Sequence, residues 1–247
     1  MKADPQAQVA LLELQAIDTD IDRTTHKQRT LPQTAAAAEM TARAADLADA
    51  ADRAQTRVQD LTRALRKAED DVASVRARSD RDRTLLSSGQ VTSGKQLSDL
   101  EHEVASLERR QADLEDAELE VMEAVEAAES EVTAIAAQRE RVDADLALAI
   151  EARDDALDGL ANERADLDQR RTVVVGELPG DLVALYVKLR HGGSTIAAGL
   201  FRFGRCEACQ MELSTADLSA VRSAEPDEVL RCPECRAIIV RTEESGL

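Results

Sequence analysis

The feature of this sequence that most limits its fold is the placement of residues that break helices. No proline lies between Pro32 and Pro179. The first 175 residues contain three glycines, Gly89, Gly94 and Gly159. Because proline and glycine are the residues that interrupt α-helices, so long a stretch almost without them predicts very long helices.

The composition changes near the segment 176–180, Gly-Glu-Leu-Pro-Gly, which has the residues of a helix stop. All four cysteines, the single tyrosine, both phenylalanines and seven of the ten glycines come after residue 175. Aromatic residues make up only 1% of the 247 residues, which argues against one large globular core. We therefore predict a helical domain over residues 1–175 and a small, turn-rich domain over residues 176–247.

Apolar residues repeat with a heptad rhythm along the helical part. Spacings of four and three alternate from Met40 to Val75, and the rhythm returns from Leu97 to Val174. A period of 3.5 residues keeps one seam of a helix against a partner and is typical of left-handed coiled coils. The helical part is therefore predicted to be a coiled coil rather than a compact bundle.

Two local features divide this coiled coil. The segment 87–94 is rich in serine and glycine and predicts a tip between two arms of similar length. At Pro32 the heptad phase slips, which predicts a kink or short break near residue 32. Arms of equal length favour folding back within one chain over a parallel dimer. We therefore predict a long antiparallel two-helix coiled-coil hairpin over residues 1–175.

The four cysteines form two C-x-x-C pairs, Cys206 with Cys209 and Cys232 with Cys235, separated by 22 residues. This spacing is typical of a zinc ribbon, in which two knuckles supply four thiolates to one tetrahedral Zn²⁺. With all four positions taken by protein, the zinc would be structural rather than catalytic. Two disulfides, a redox dithiol or an iron–sulfur cluster are weaker alternatives, because nothing indicates export and clusters usually have other spacings.

The cysteine-bearing segment is predicted to be mainly β. Three strands are expected, over residues 195–203, 228–231 and 237–241. Residues 191–194 are expected to form the turn before the first strand, and Ser214 with Asp217 predicts the start of one short helix between the cysteine pairs. The predicted fold class is therefore mainly α, with the hairpin followed by a small C-terminal β-rich zinc ribbon.

The chain is acidic, with 31 Lys and Arg against 49 Asp and Glu and a formal net charge of −18. An acidic surface repels phosphate, so nucleic-acid contact would need a local basic patch. The candidate contact residues near the first ribbon strand are Lys188, Arg190, Arg202 and Arg205. Phe201 and Phe203 lie among the arginines and could stack on bases. The alternative, which we favour for the aromatics, places them in the ribbon core with Tyr186.

A second basic group lies at the predicted hairpin tip, on an otherwise acidic helical part. Its candidate docking residues are Arg81, Arg83 and Lys95. The alternative is ordinary pairing of charges three or four residues apart on exposed helix faces. The sequence leaves both interpretations open.

Catalysis, export and membrane insertion find no support in the sequence. The three histidines do not group with a nucleophile, and no phosphate-binding glycine loop occurs. No apolar run approaches the ~20 residues of a bilayer span, and the N-terminus lacks the apolar stretch of a secretory signal. We therefore expect a non-enzymatic, cytoplasmic protein with no membrane contact and no small-molecule substrate.

Several motifs occur together in this chain: Leu-Tyr-Val-Lys-Leu-Arg at 185–190, Ala-Ala-Gly at 197–199, the two cysteine pairs and the tip segment 92–100. Across essentially the whole chain they resemble a bacterial family of C4-type zinc-ribbon proteins with a long N-terminal coiled-coil hairpin, catalogued as a domain of unknown function. Two features depart from that family. Gln210 and Arg236 stand where such ribbons usually carry glycine, and Leu97 replaces the tip aromatic.

The family resemblance implies interaction rather than catalysis. Members with an assigned role are described as adaptors or chaperones for transcription-related or flagellar proteins, and the ribbon has been linked to nucleic-acid binding. We therefore predict a zinc-binding adaptor or regulatory protein, a monomer or weak oligomer, whose ribbon binds protein, nucleic acid or both in transcription or RNA biology. The alternative is a structural spacer or chaperone that binds a client protein without touching nucleic acid.

Overall fold

Helices account for most of the chain in the computed structural model, which describes residues 1–192 and 195–246. The helices are α1 (Pro5–Arg29), α2 (Pro32–Ser87), α3 (Gly94–Glu177), α4 (Gly180–His191) and α5 (Thr215–Ser223). The strands are β1 (Ala198–Arg202), β2 (Arg205–Cys206), β3 (Met211–Glu212), β4 (Leu230–Arg231) and β5 (Ile238–Val240). These elements confirm a mainly α chain with a small strand-containing C-terminal part.

The chain divides into two compact units. The ribbon unit comprises Met1–Gln33 and Ala152–Leu247, and the arm unit comprises Thr34–Glu151. The sequence places a domain boundary after residue 175. The contacts instead group α1 and the end of α3 with the C-terminal segment, because these parts share one apolar core.

In the arm unit, α2 and α3 run antiparallel. Apolar residues at predicted heptad positions are buried there, namely Ala54, Val104, Val125, Ala128 and Val142. Ion pairs join the two helices at Arg57–Glu131, Arg78–Glu103 and Arg83–Glu108. The helices are connected through residues 88–93, inside the segment 87–94 where the sequence places the tip. The predicted hairpin is therefore confirmed.

A break between α1 and α2 lies at the predicted irregularity. Helix α1 ends at Arg29, where the N–H of Thr30 donates to the carbonyl of His26 at 3.0 Å, and α2 begins at Pro32. Proline suits the first position of a helix, because its missing N–H would have no partner there. The first arm is thus two helices rather than one kinked helix.

Large apolar side chains of α1 and α4 form the main core of the ribbon unit. These side chains are at most 1% exposed: Leu11, Leu14, Ile17, Leu182 and Tyr186. They pack with residues of the end of α3 and of the sheet: Leu167, Val174, Ala198, Ile238 and Val240. Burial of this apolar surface holds the helices against one face of the sheet.

The sheet has the order β3-β2-β1-β5-β4. Strands β1 and β5 pair in parallel, with Ala198 opposite Ile238, and the other neighbours are antiparallel. The three predicted strands exist but are shorter than expected, and the two-residue strands β2 and β3 were not predicted. Of the predicted turn over residues 191–194, residues 193 and 194 lie outside the described part of the chain.

The ends of two further segments are fixed by hydrogen bonds. Helix α5 begins as predicted, since the Ser214 hydroxyl accepts from the N–H of Asp217 at 3.2 Å. The N-terminus pairs with the segment before β4, because the N–H of Ala3 donates to the carbonyl of Asp227 at 2.8 Å. Among the helices that the structure describes, none combines the length and hydropathy needed to cross a bilayer.

Candidate metal centre

Two matching knuckles carry the four cysteines. In the first, the N–H of Gln210 donates to the carbonyl of Cys206 at 2.7 Å. In the second, the N–H of Arg236 donates to the carbonyl of Cys232 at 2.9 Å. Each bond closes a turn around a C-x-x-C pair, so that both sulfurs of a pair point to the same side.

The four sulfurs converge on one point. All four Sγ atoms lie within 4.8 Å of one another. The distances between knuckles are 3.9 Å for Cys206–Cys235 and 3.8 Å for Cys209–Cys232. A tetrahedron with Zn–S bonds near 2.3 Å has edges of about 3.8 Å, so these two distances match its edges and the four sulfurs are placed to hold one zinc ion. Four protein thiolates fill all positions of the ion, which makes it a structural zinc.

The proton affinities of the thiols depend on their surroundings. Burial raises the pKa of Cys206 above its ordinary value and raises that of Cys235 to about 11. Burial also acts on Cys232, but N–H groups of Cys235 and Glu234 that point at its sulfur outweigh it and lower the pKa. A bound Zn²⁺ takes thiolates, so metal binding displaces the remaining protons.

Strand β1 passes very close to the first knuckle. A Cβ atom on Gly199 would lie 2.7 Å from both the Cβ and the backbone nitrogen of Ala208. Such a distance is far below van der Waals contact, and one of the two neighbours is backbone. Glycine at position 199 therefore permits the strand and the knuckle to approach, which explains this residue of the Ala-Ala-Gly motif.

Gly199→Ala should push the first knuckle away from β1 and weaken the metal site. We expect a loss of about 1–3 kcal/mol in ribbon stability, as overpacking usually costs. The measurement is the rate of zinc transfer to a chromophoric chelator, which should be higher for the variant than for the parent. Gly159→Ala is the matched control, because a Cβ there meets nothing within 4 Å and helix interiors favour alanine. Zinc transfer at the parent rate from Gly199→Ala would contradict the explanation.

Arg190, a predicted contact residue, is engaged inside the ribbon unit. Its guanidinium lies 3.4 Å from the Asp18 carboxylate and 2.6 Å from that of Asp22, and it donates to the carbonyl of Thr195 at 2.8 Å. The side chain is only 16% exposed. Arg190 thus joins α4 to α1, and a partner would have to displace these contacts to reach it.

Arg202 and Arg205, the next two predicted residues, are exposed but have acidic partners. Arg202 pairs with Glu244 and lies 3.9 Å from the carboxylate of Glu207. Arg205 pairs with Glu212 across strands β2 and β3 at 3.2 Å. These carboxylates offset the positive charge that a phosphate would need. Three of the four predicted contact residues are therefore paired within the chain.

Lys188, the fourth, lines a cleft that the sequence analysis missed. Lys188 of α4, Arg231 of β4 and Arg236 surround a cavity of about 340 Å³ beside Cys235. None of the three cations forms an ion pair with a described residue, and Nε of Arg231 donates to the carbonyl of Arg236 at 3.1 Å. We call this the cation cleft. One sequence feature could have indicated this cleft, since Arg231 and Arg236 directly flank the second cysteine pair.

The three aromatic residues do not share one environment. Tyr186 and Phe201 are fully buried, as the core interpretation predicts, but Phe203 is 78% exposed. The core interpretation is wrong for Phe203 because β1 ends at Arg202. Phe203 then lies in a turn with φ of 46°, and the inward alternation of the strand does not continue to it.

The tip candidates lie on the exposed surface of the arm unit. Arg83 pairs with Glu108, and Nε of Arg81 donates to the carbonyl of Ala77 at 3.2 Å. Lys95 has no ion pair with any described residue. The pairing of Arg83 spans two helices rather than neighbouring turns of one. A docking role for this tip stays a prediction.

Comparisons with known proteins match both parts of the chain. Residues 14–194 match the CT398-like coiled coil hairpin domain. Residues 205–239, which contain all four cysteines, match the C4-type zinc ribbon domain. The chain is 40% identical to protein Rv2229c of Mycobacterium tuberculosis over 243 residues, 98% of each. These matches agree with the hairpin and the sulfur site described above.

Solved structures share the fold. A protein from Mycobacterium smegmatis is 34% identical, with a TM-score of 0.84 over 98% of this chain and 100% of that chain. CT398 from Chlamydia trachomatis is 15% identical, with a TM-score of 0.72 over 96% of this chain and 98% of that chain. The second likeness concerns the fold alone.

Proposed function

Because the chain belongs to the family of CT398-like coiled-coil hairpin proteins with a C4-type zinc ribbon, we propose that it is a non-enzymatic adaptor whose ribbon binds nucleic acid. The observation that carries this proposal is the cation cleft. Lys188, Arg231 and Arg236 meet there without acidic partners among the described residues. Cations without partners attract phosphate, which the acidic remainder of the chain repels.

The distribution of charge supports a small and local nucleic-acid site. Residues 180–247 hold eight Lys and Arg against ten Asp and Glu, so the ribbon as a whole offers no general attraction. Acidic neighbours offset Arg190, Arg202 and Arg205, and Arg241 donates to main-chain carbonyls. Of the four cations that remain, Lys188, Arg231 and Arg236 lie at the cleft and Arg222 lies on α5. We infer few phosphate contacts and therefore modest, salt-sensitive affinity.

We propose further that the protein is not an enzyme and that it lies in the cytoplasm. Four cysteine sulfurs fill the coordination sphere of the metal, which leaves no position for a reacting water. Four free thiols held for zinc suit a reducing compartment, so we place the protein in the cytoplasm. We propose that the hairpin serves as an arm for the ribbon in a monomer or weak oligomer.

Removing two cleft cations should weaken nucleic-acid binding. For the zinc-loaded full chain, Lys188→Ala with Arg231→Ala should weaken binding to a fluorescent single-stranded RNA at least tenfold. The slope of log affinity against log salt should fall by about 1.4, because each phosphate contact to a single strand contributes about 0.7. Fluorescence anisotropy over a salt series measures both quantities, with zinc content checked in each sample.

The matched control replaces two predicted cations that have acidic partners, Arg202→Ala with Arg205→Ala. Its affinity should stay within about twofold of the parent, since each removed charge was already offset by a carboxylate. Equal losses in the two double variants would contradict a contact specific to the cleft, because binding would then depend on positive charge at either place. A parent chain that binds no RNA even at low salt would refute nucleic-acid binding.

A second function, capture of a client protein without nucleic acid, is favoured by one observation. Phe203 is 78% exposed and Met211, on β3, is 53% exposed. Aromatic residues and methionine are enriched at protein–protein interfaces relative to the rest of a protein surface. This alternative would be supported if the parent chain bound no RNA and if a protein that co-purifies with the parent were absent from Phe203→Ser preparations.

A further inference from the structure

We propose that the outer end of the hairpin is a conformational device that opens while the rest of the arm stays paired. The outer end comprises residues 76–86 of α2 and 98–107 of α3, and two exposed ion pairs hold it closed. Opening uncovers Val104, an apolar residue of α3 that is only 9% exposed in the closed arm. The device lies in the arm unit and is independent of the cation cleft.

The seam of α2 changes from apolar to polar at the outer end. Heptad positions of α2 are apolar from Met40 to Val75, but the next two positions are Ser79 and Asp82. The seam of α3 stays apolar at this end of the hairpin, for example at Leu100. A polar side chain at a core position of a coiled coil lowers the stability of the pair. The two helices are therefore held together less firmly here than along the apolar seam.

Neither polar side chain is satisfied in the closed arm. Ser79 is 2% exposed, and its hydroxyl has no hydrogen-bond partner among the described residues. One carboxylate oxygen of Asp82 is likewise buried and has no such partner within the described part of the chain. A buried polar atom without a partner costs the free energy of its lost hydration. Because opening returns both groups to water, this cost favours the open state of the outer end.

Apolar packing beyond Asp82 is incomplete. A cavity of about 370 Å³ is lined by Leu85, Val91 and Leu100, and Leu85 is 40% exposed. Side chains beside unfilled space lack the dispersion contacts of a packed core. The outer end therefore gains less from apolar packing than the middle of the arm, where Ala128 is fully buried.

Two ion pairs flank the polar seam positions. Arg78, which precedes the buried serine, pairs with Glu103, and Arg83, which follows the seam aspartate, pairs with Glu108. The four side chains are between 41% and 58% exposed. Exposed ion pairs contribute little each, and salt screens them. Because the seam stabilises this end weakly, closure should depend on ionic strength, which the apolar middle of the arm should not.

Hydrogen exchange of the full chain at two salt concentrations tests this device. Exchange at the N–H groups of the outer end should be roughly fivefold faster in about 500 mM than in about 50 mM sodium chloride. Exchange over residues 50–62 of α2, in the same samples, should change by less than about twofold. An outer end whose exchange did not respond to salt would overturn the proposal.

The double variant Ser79→Ala with Asp82→Leu makes the seam apolar and should slow exchange at the outer end about tenfold or more. Asp71→Leu with Ser74→Ala is the matched control, because it makes the same chemical changes at two exposed positions of α2. The control should exchange within about twofold of the parent. No slowing in the seam variant, or equal slowing in both, would show that the outer end only frays as helix ends do, and the proposal would fail.

A second pair of variants tests the ion pairs themselves. Arg78→Gln with Arg83→Gln should give the fast exchange already at low salt and remove most of the salt response. Arg53→Gln with Arg57→Gln removes the same charge from the middle of the arm, including the ion pair of Arg57 with Glu131. This control should keep the salt response of the outer end. A response that persisted in full without Arg78 and Arg83 would contradict their role in closing the hairpin.

Discussion

The double variant Cys206→Ser with Cys232→Ser should lose zinc binding. The segment that carries the two cysteine pairs should unfold, while the helices α1 to α4 remain folded. The two sulfurs are buried within a small core of Phe201, Leu213 and Val221. So few apolar side chains cannot hold the turns together, and zinc binding contributes on the order of 10 kcal/mol in small domains of this kind. Elemental analysis should find about one zinc per chain in the parent and none in the variant.

The expected boundary of unfolding follows from the two cores. Ala198, Ile238 and Val240 pack with α1 and α4, whereas the cysteines lie in the second core. Hydrogen exchange should therefore lose protection at the N–H groups of Gln210 and Arg236 and keep it along α1. Helical circular dichroism should fall only by the contribution of α5.

Chelation of zinc from the parent under reducing conditions is the control, because it removes the metal without any substitution. It should reproduce the exchange pattern of the double variant. Loss of most helical signal in either case would show that the zinc centre holds the helices as well, contrary to the separation of the two cores. Retained protection at both knuckles would show that the turns are stable without metal.

The features that the sequence predicted correctly are those set by local spacing. Two C-x-x-C pairs must each form a turn that directs both sulfurs to one side, so the zinc site follows from the chain order alone. The heptad seam and its breaks at Pro32 and Gly89 follow likewise from periodicity and from the residues that cannot continue a helix. In each case the residues that decide the structure lie within a few turns of one another.

The features that the sequence did not predict depend on contacts between residues that are far apart in the chain. Arg190 looks like a surface cation in sequence, but Asp18 and Asp22, on a different helix, bind it. The cation cleft joins Lys188 with Arg231 and Arg236 only after the ribbon has folded. The spacing of residues along the sequence cannot indicate such contacts, because they depend on how α1 and α4 pack on the sheet.

Asp18→Asn should destabilise the ribbon unit strongly, because Asp18 is the shared acceptor of a buried network. Its carboxylate accepts from Nε of Arg171 at 2.7 Å and from the hydroxyl of Tyr186 at 2.9 Å, and it lies 3.4 Å from Nε of Arg190. The Asp18 side chain is 4% exposed. Removing one partner of a buried ion pair costs about 3–5 kcal/mol. We expect the lower end of that range, since Arg171 is one-third exposed and water can solvate it.

The matched control for this network is Asp20→Asn on the same helix. Asp20 forms an exposed ion pair with Arg23 at 3.0 Å, so its loss should change the free energy of unfolding by less than about 0.5 kcal/mol. Chemical denaturation of the zinc-loaded chain followed by circular dichroism measures both variants. Equal effects of the two substitutions would mean that Asp18 contributes no more than a surface charge.

The free energy of unfolding at alkaline pH provides a second measurement of the role of Asp18. Burial, then the charge of Asp18 and its hydrogen bond, raise the pKa of Tyr186 above its ordinary value of 10.0. A raised pKa in the folded state means that the proton is held more tightly there than in the unfolded chain. The resulting stabilisation is complete below about pH 10 and is lost as the pH rises above it. Asp18→Asn removes the charge but leaves an amide oxygen that can still accept from the Tyr186 hydroxyl, so the variant should lose less stability than the parent between pH 9 and 11. An unchanged alkaline loss would show that burial alone sets the tyrosine pKa, and that the carboxylate does not act on it.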